Sequence, residues 1–102
     1  LQTIVRRLRE AGVRVLLQTI PPFNYPEGLR ERWLTVNDWI RSTLAGEADA
    51  LFDVVSVLSE SPERPYMARY GGHPDGAGCA AWAAALKPAL SALIDRTVAS
   101  RR

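Results

Sequence analysis

The chain has 102 residues, of which 47% are hydrophobic and 24% charged. This composition is typical of one folded domain at most and excludes a disordered chain. The net charge of +2 comes from twelve arginines and one lysine that are scattered along the chain. Nucleic-acid binding needs a concentrated basic surface, so we expect no nucleic-acid partner.

Residue counts argue against three further features: a membrane span, a disulfide and a metal site. The longest uninterrupted apolar run, residues 79–86, is far shorter than the ~20 residues of a transmembrane helix, so we expect no membrane span. Cys79 is the only cysteine, so no disulfide closes within the chain. A metal site needs several ligands together, and one histidine does not supply them. We therefore expect no metal and no cofactor.

The first half of the chain predicts a helix, a strand and a second helix. Apolar residues at helical spacing end at Gly12, where a helix C-terminus favours a residue that tolerates positive φ. Residues 13–20 are apolar on both faces, which is typical of a buried parallel strand. Residues 28–44 then predict a helix with a stripe of large apolar residues facing the sheet, made of Leu29, Trp33, Val36, Ile40 and Leu44. Asn37 beside this stripe is interpreted as a structural hydrogen-bonding residue rather than a catalytic one.

The second half predicts a strand, a long loop and a final helix. Residues 51–58 form an apolar run that predicts a second buried strand, with Asp53 in its first half and therefore far from the chemistry. Residues 59–72 show no periodicity and predict a functional loop. Asp75 is expected to cap the final helix, and Pro88 to kink or split it.

The order α-β-α-β-α favours parallel strands joined by right-handed crossovers. The predicted fold class is therefore α/β, a three-layer α/β/α doubly wound parallel sheet. Two strands do not form a stable sheet alone. We therefore expect residues 1–102 to be the C-terminal part of one larger domain, with a missing N-terminal segment of that domain as partner.

The candidate functional residue is His73, the only histidine, on the glycine-rich turn of residues 70–78. A histidine exchanges protons near neutral pH because its unperturbed pKa is about 6.5. Flanking glycines allow backbone and substrate to approach the ring. The competing interpretation is an ordinary polar loop residue.

Residues 72–83, which read GHPDGAGCAAWA, resemble the last conserved block of the SGNH (GDSL-type) esterases and lipases, where an H-P-[ND]-x-x-G turn leads into the C-terminal helix. Upstream, residues 13–23, Arg32 and residues 36–41 resemble the strand, proline-rich loop and helix that precede this block in the family. The resemblance implies a flavodoxin-like sheet, a small-molecule ester or acylated substrate, and carboxylic ester hydrolysis by a Ser-His mechanism. In that mechanism His73 is the general base.

The chain departs from the family pattern in two places. The family acid lies three residues before the histidine, and Tyr70 occupies that position here. The chain also contains neither a G-D-S nor a G-x-N-D block, so we expect the nucleophile in the missing N-terminal part and no activity from the 102 residues alone. The Tyr70 phenol, a backbone carbonyl, Glu60 or Glu63 remain alternatives for orienting the imidazole.

Two other functions compete with ester hydrolysis. The missing acid and serine block favour a catalytically degenerate SGNH-like module that binds an ester or a glycan, or a non-functional truncated fragment. A Rossmann-type nucleotide-binding unit would share the α-β-α-β-α pattern, but no G-x-G-x-x-G turn follows a strand. It is the least favoured of the three.

Overall fold

A computed structural model describes residues 1–101 of the chain. Helices account for 57% of the structure. In chain order the elements are α1 (Gln2–Glu10), β1 (Leu16–Gln18), α2 (Glu27–Ser42), a 3-10 turn (Leu44–Glu47), β2 (Ala50–Phe52), α3 (Val55–Leu58), β3 (Ser59–Ser61), β4 (Arg64–Ala68) and α4 (Gly76–Ser100).

The predicted three-layer α/β/α doubly wound sheet is wrong. The described residues form two sheets of two strands each, β1 parallel to β2 and β3 antiparallel to β4. The parallel pair is only three residues long on each side, with Leu17 opposite Leu51. The parallel crossover between β1 and β2 is confirmed, but it does not extend into a larger sheet within residues 1–101.

The main apolar core lies on one face of the parallel sheet. Leu17 points to this face, where it packs with Val5 of α1, Ile40 of α2 and Leu44. Successive residues of a strand point to opposite faces, so Gln18 faces the other way. There its Oε1 accepts a hydrogen bond of 2.9 Å from Trp82 Nε1, which ties α4 to β1.

The apolar stripe predicted for α2 is only partly correct. Trp33, Ile40 and Leu44 are buried, whereas Leu29 and Val36 are 45% and 40% exposed. Asn37 is fully buried in the stripe instead. Its Oδ1 accepts from Ile20 N at 2.8 Å and its Nδ2 donates to Ile20 O at 2.9 Å, which confirms its structural role.

The second predicted strand is wrong beyond Phe52. The Asp53 carboxylate accepts a hydrogen bond from Val55 N at 3.2 Å, and the chain turns there into α3. The loop predicted for residues 59–72 is also wrong in part, because β3 and β4 form an antiparallel hairpin there. Local pairing of adjacent segments has therefore replaced the expected long strand and loop.

The final helix begins as predicted but is not split. Asp75 Oδ1 accepts from Gly78 N at 2.9 Å, which confirms the cap. Pro88 lies inside a continuous helix of 25 residues. Proline removes the hydrogen bond to the carbonyl four residues earlier. Ala84 and Pro88 are both exposed, so water can satisfy that carbonyl.

By length and composition alone, α4 could cross a membrane. An 18-residue window within it has a mean hydropathy of 1.4, and 11% of that window is buried. We expected no membrane span because the longest uninterrupted apolar run is only residues 79–86. The mean hydropathy of an 18-residue window stays high even when the window contains isolated charged residues. One such helix is weak support for a span, because core helices of soluble proteins meet the same criteria.

Candidate functional site

His73 lies on a tight turn between β4 and α4. Asp75 N donates to Tyr70 O at 3.3 Å, which closes the turn, and Asp75 also caps α4. Gly71 has φ of +91°, a conformation that favours glycine. The backbone that carries His73 is therefore held by hydrogen bonds on both sides.

The first turn of α4 packs directly against this turn through Gly78. A Cβ atom at position 78 would lie 2.6 Å from Tyr70 Cβ and 2.9 Å from Pro74 Cβ. Real Cβ atoms do not approach so closely, so a side chain at position 78 would push the turn away from the helix. Glycine at this position allows the close contact that positions His73 relative to α4.

The loop that follows β1 forms the other wall of the site. The Phe23 and His73 rings meet edge to face, with centroids 4.7 Å apart and planes at 88°. Asn24 Oδ1 accepts from Ala68 N at 2.8 Å, and Tyr25 N donates to Tyr66 O at 3.3 Å. Asn24 adopts φ of 54°, which asparagine tolerates better than most residues. These bonds join the loop to β4 and bring Phe23 against the imidazole.

The His73 imidazole is exposed, and within residues 1–101 it makes no hydrogen bond or ion pair. Its nitrogen atoms are therefore open to a substrate or a nucleophile. Neither proposed substitute acid bonds to it within residues 1–101: Glu60 pairs with Arg64 at 3.3 Å on the hairpin, and Glu63 forms no hydrogen bond or ion pair with His73. The structure brings His73 together with Phe23, but not with an acid or a serine among the described residues.

Asp53 is a polar residue whose position the sequence reasoning misjudged. Because β2 ends at Phe52, Asp53 lies at the carboxyl end of the strand, where its carboxylate accepts from Thr19 Oγ1 at 2.9 Å and Arg41 Nε at 2.8 Å. Burial opposes ionisation, but the hydrogen bonds from Arg41 and Thr19 outweigh it and hold the pKa of Asp53 below its usual value. In the sequence, the sign of this position was that Asp53 is the only carboxylate in the apolar run of residues 51–58. It lies two residues before the first residue of α3.

Asp53 also lines an open cleft of about 390 Å³ between the end of β2 and the β3–β4 hairpin. Serine hydroxyls and the Arg69 side chain share this lining. The cleft is large enough for a small ligand. No described contact connects its residues to the His73 imidazole.

Comparison with known proteins does not identify the chain: no model of a known family, no curated protein and no solved structure matches it. The resemblance to SGNH esterases therefore depends on the sequence motifs alone.

Proposed function

We propose that this chain carries the histidine-bearing part of a serine ester hydrolase, with His73 as the general base. The observation that carries the proposal is the geometry of the turn. An exposed imidazole without a hydrogen bond among residues 1–101 lies on a backbone fixed by Asp75 and Gly78, next to the loop that leaves β1. An ordinary polar loop residue does not require this close packing.

In the proposed mechanism a serine outside this sequence attacks the ester carbonyl. His73 accepts the serine proton during the attack and returns it to the leaving alcohol, which gives an acyl-enzyme intermediate. Water then releases the acid by the same route. The edge contact with Phe23 favours the observed orientation of the imidazole, a role that a carboxylate has in Ser-His-Asp triads.

One observation favours a second candidate, a module that binds an acylated ligand without hydrolysing it. No carboxylate in residues 1–101 forms a hydrogen bond or an ion pair with His73. In serine proteases, loss of the corresponding aspartate interaction lowers kcat by about 10⁴. A protein without that partner could retain the binding surface and lose turnover.

Expression of the complete reading frame that contains this chain tests the proposal. The product should hydrolyse p-nitrophenyl butyrate and react with a fluorophosphonate, which labels activated serines. His73→Ala should lower kcat/KM by about 10²–10⁴, the usual contribution of a general base. Lys87→Ala, an exposed change on α4, is the control and should leave the rate unchanged.

Two results would overturn the proposal. One is hydrolysis that His73→Ala leaves intact. The other is a complete protein that binds an acyl ligand, shows no turnover and resists fluorophosphonate, which would establish the binding module instead.

A further inference from the structure

The fold gathers four of the scattered arginines at one end of the molecule. Arg9, Arg14 and Arg101 line a cleft of about 560 Å³, and Arg14 and Arg96 line an adjoining cleft of about 210 Å³. These residues lie near the amino end of β1 and the C-termini of α1 and α4. We call these four residues and the space between them the arginine cleft. It lies at the opposite end of β1 from the loop that contacts His73, so it is separate from the candidate active site.

The backbone and one carboxylate hold two of these arginines in place. Gly12 has φ of +83°, and Val13 N donates to Leu8 O at 2.9 Å, so the chain reverses at the end of α1 and directs Arg14 back toward the helix. Asp49 then pairs with Arg9 at 3.3 Å and Arg14 at 3.4 Å. Its carboxylate is only 9% exposed and also accepts from Val15 N at 2.7 Å. Asp49 is therefore a firm anchor for both side chains.

The other two arginines are free of protein partners within the described residues. The side chains of Arg96 and Arg101 form no hydrogen bond or ion pair in residues 1–101. Nearby negative charge comes from Asp49, Glu10 and the C-terminal dipoles of α1 and α4, each dipole worth about half a charge. Four guanidinium groups exceed this total by about one positive charge. The arginine cleft therefore offers unused donors with a net positive field.

We propose that the arginine cleft binds the phosphate or sulfate group of a ligand. A guanidinium group presents its donors in a planar fork that matches an oxyanion, and several forks around one group give charge-assisted hydrogen bonds. The source of the oxyanion is a soluble ester or a lipid headgroup. The exposed side chains of Leu90, Ile94 and Val98 lie on α4, which ends at this cleft. These apolar side chains could contact lipid, so binding to a lipid headgroup is tested separately from binding to a soluble ester.

The test is titration of the chain with inorganic phosphate against chloride at equal ionic strength, followed by NMR of the arginine Nε–H groups. Saturable shifts should appear at Arg96 and Arg101. The double variant Arg96→Gln/Arg101→Gln should weaken phosphate binding about tenfold or more, since it removes the charge-assisted hydrogen bonds of two guanidinium groups. The control double variant Arg7→Gln/Arg32→Gln removes equal charge from exposed positions and should retain the affinity.

A second arm measures co-sedimentation with phosphatidylcholine vesicles that contain or lack phosphatidic acid. Saturable binding of inorganic phosphate supports a soluble ligand. Co-sedimentation that depends on phosphatidic acid and on Arg96 and Arg101 supports a headgroup. The proposal is refuted if neither probe binds, or if the control variant loses as much affinity as the Arg96/Arg101 variant.

Discussion

A matched pair of glycine substitutions tests how the His73 turn is held. Gly76 and Gly78 both lie in the first turn of α4, and neither has positive φ. A Cβ atom at position 76 would meet nothing within 4 Å, whereas one at position 78 would lie 2.6 Å from Tyr70 Cβ and 2.9 Å from Pro74 Cβ. Those two atoms are next to the backbone and cannot swing away. The structure therefore predicts opposite effects from the same chemical change.

The magnitudes follow from helix propensity and overpacking. Glycine to alanine stabilises a helix by up to about 1 kcal/mol, and we expect Gly76→Ala to gain about that much or less. Gly78→Ala has the same gain in helix propensity, but overpacking against Tyr70 and Pro74 destabilises it by about 1–3 kcal/mol. The two variants should therefore differ by about 1–3 kcal/mol in the free energy of unfolding, measured by urea denaturation with circular dichroism. Equal stabilisation of both variants would refute the close contact between α4 and the turn.

Three further outcomes follow from the fold. Asn37→Leu should lower the free energy of unfolding by about 1–3 kcal/mol, because it leaves the Ile20 N–H without its side-chain acceptor, whereas Ile20 O keeps the hydrogen bond from Trp33 Nε1. An unchanged urea midpoint would contradict this. The pKa of Asp53 is lower in the folded state than in the unfolded state, so ionised Asp53 stabilises the fold. This stabilisation is complete above the unfolded pKa of about 4 and is lost as the pH falls through the folded pKa. Asp53→Asn should flatten that acid decline in the urea midpoint, and the exposed control Asp95→Asn should not. The chain should self-associate in sedimentation velocity, because the parallel sheet has no further strand within residues 1–101 and large apolar side chains are exposed; a monomer at every concentration would contradict this.

Local signals in the sequence predicted the three long helices and the cap of α4 well. The end of α1 at Gly12, the parallel crossover between β1 and β2, the Asp75 cap and the structural role of Asn37 all have clear chemical signatures. The crossover follows from the order of the elements, and each of the others depends on a conformational or hydrogen-bonding preference of one or two residues. Such preferences act over a few positions and are visible without the tertiary structure.

The errors came from features that depend on tertiary packing. The apolar run of residues 51–58 suits a strand or a buried helical turn, and periodicity alone does not distinguish them. In the structure, Asp53 bonds to Thr19 and Arg41, which lie far from it in sequence, and the strand ends there. The α/β/α sheet was inferred from the α-β-α-β-α order of two long apolar strands. The strands that form are only Leu16–Gln18 and Ala50–Phe52, so the fold class failed with them. Likewise, no sequence pattern placed Phe23 against His73, because the contact depends on the bonds between the β1 loop and β4.

The most direct test of His73 as a general base is the kcat of Tyr70→Asp in the complete protein, with and without His73→Ala. Aspartate keeps the Cβ that packs near Gly78. In the resemblance to SGNH esterases, position 70 is that of the family acid, whose carboxylate would stabilise the imidazolium that forms during serine attack. If His73 is the general base, Tyr70→Asp raises kcat and shifts the acid limb of the pH–rate profile to higher pH. The double variant Tyr70→Asp/His73→Ala then loses all of the gain. A double variant as active as Tyr70→Asp alone would contradict the role of His73.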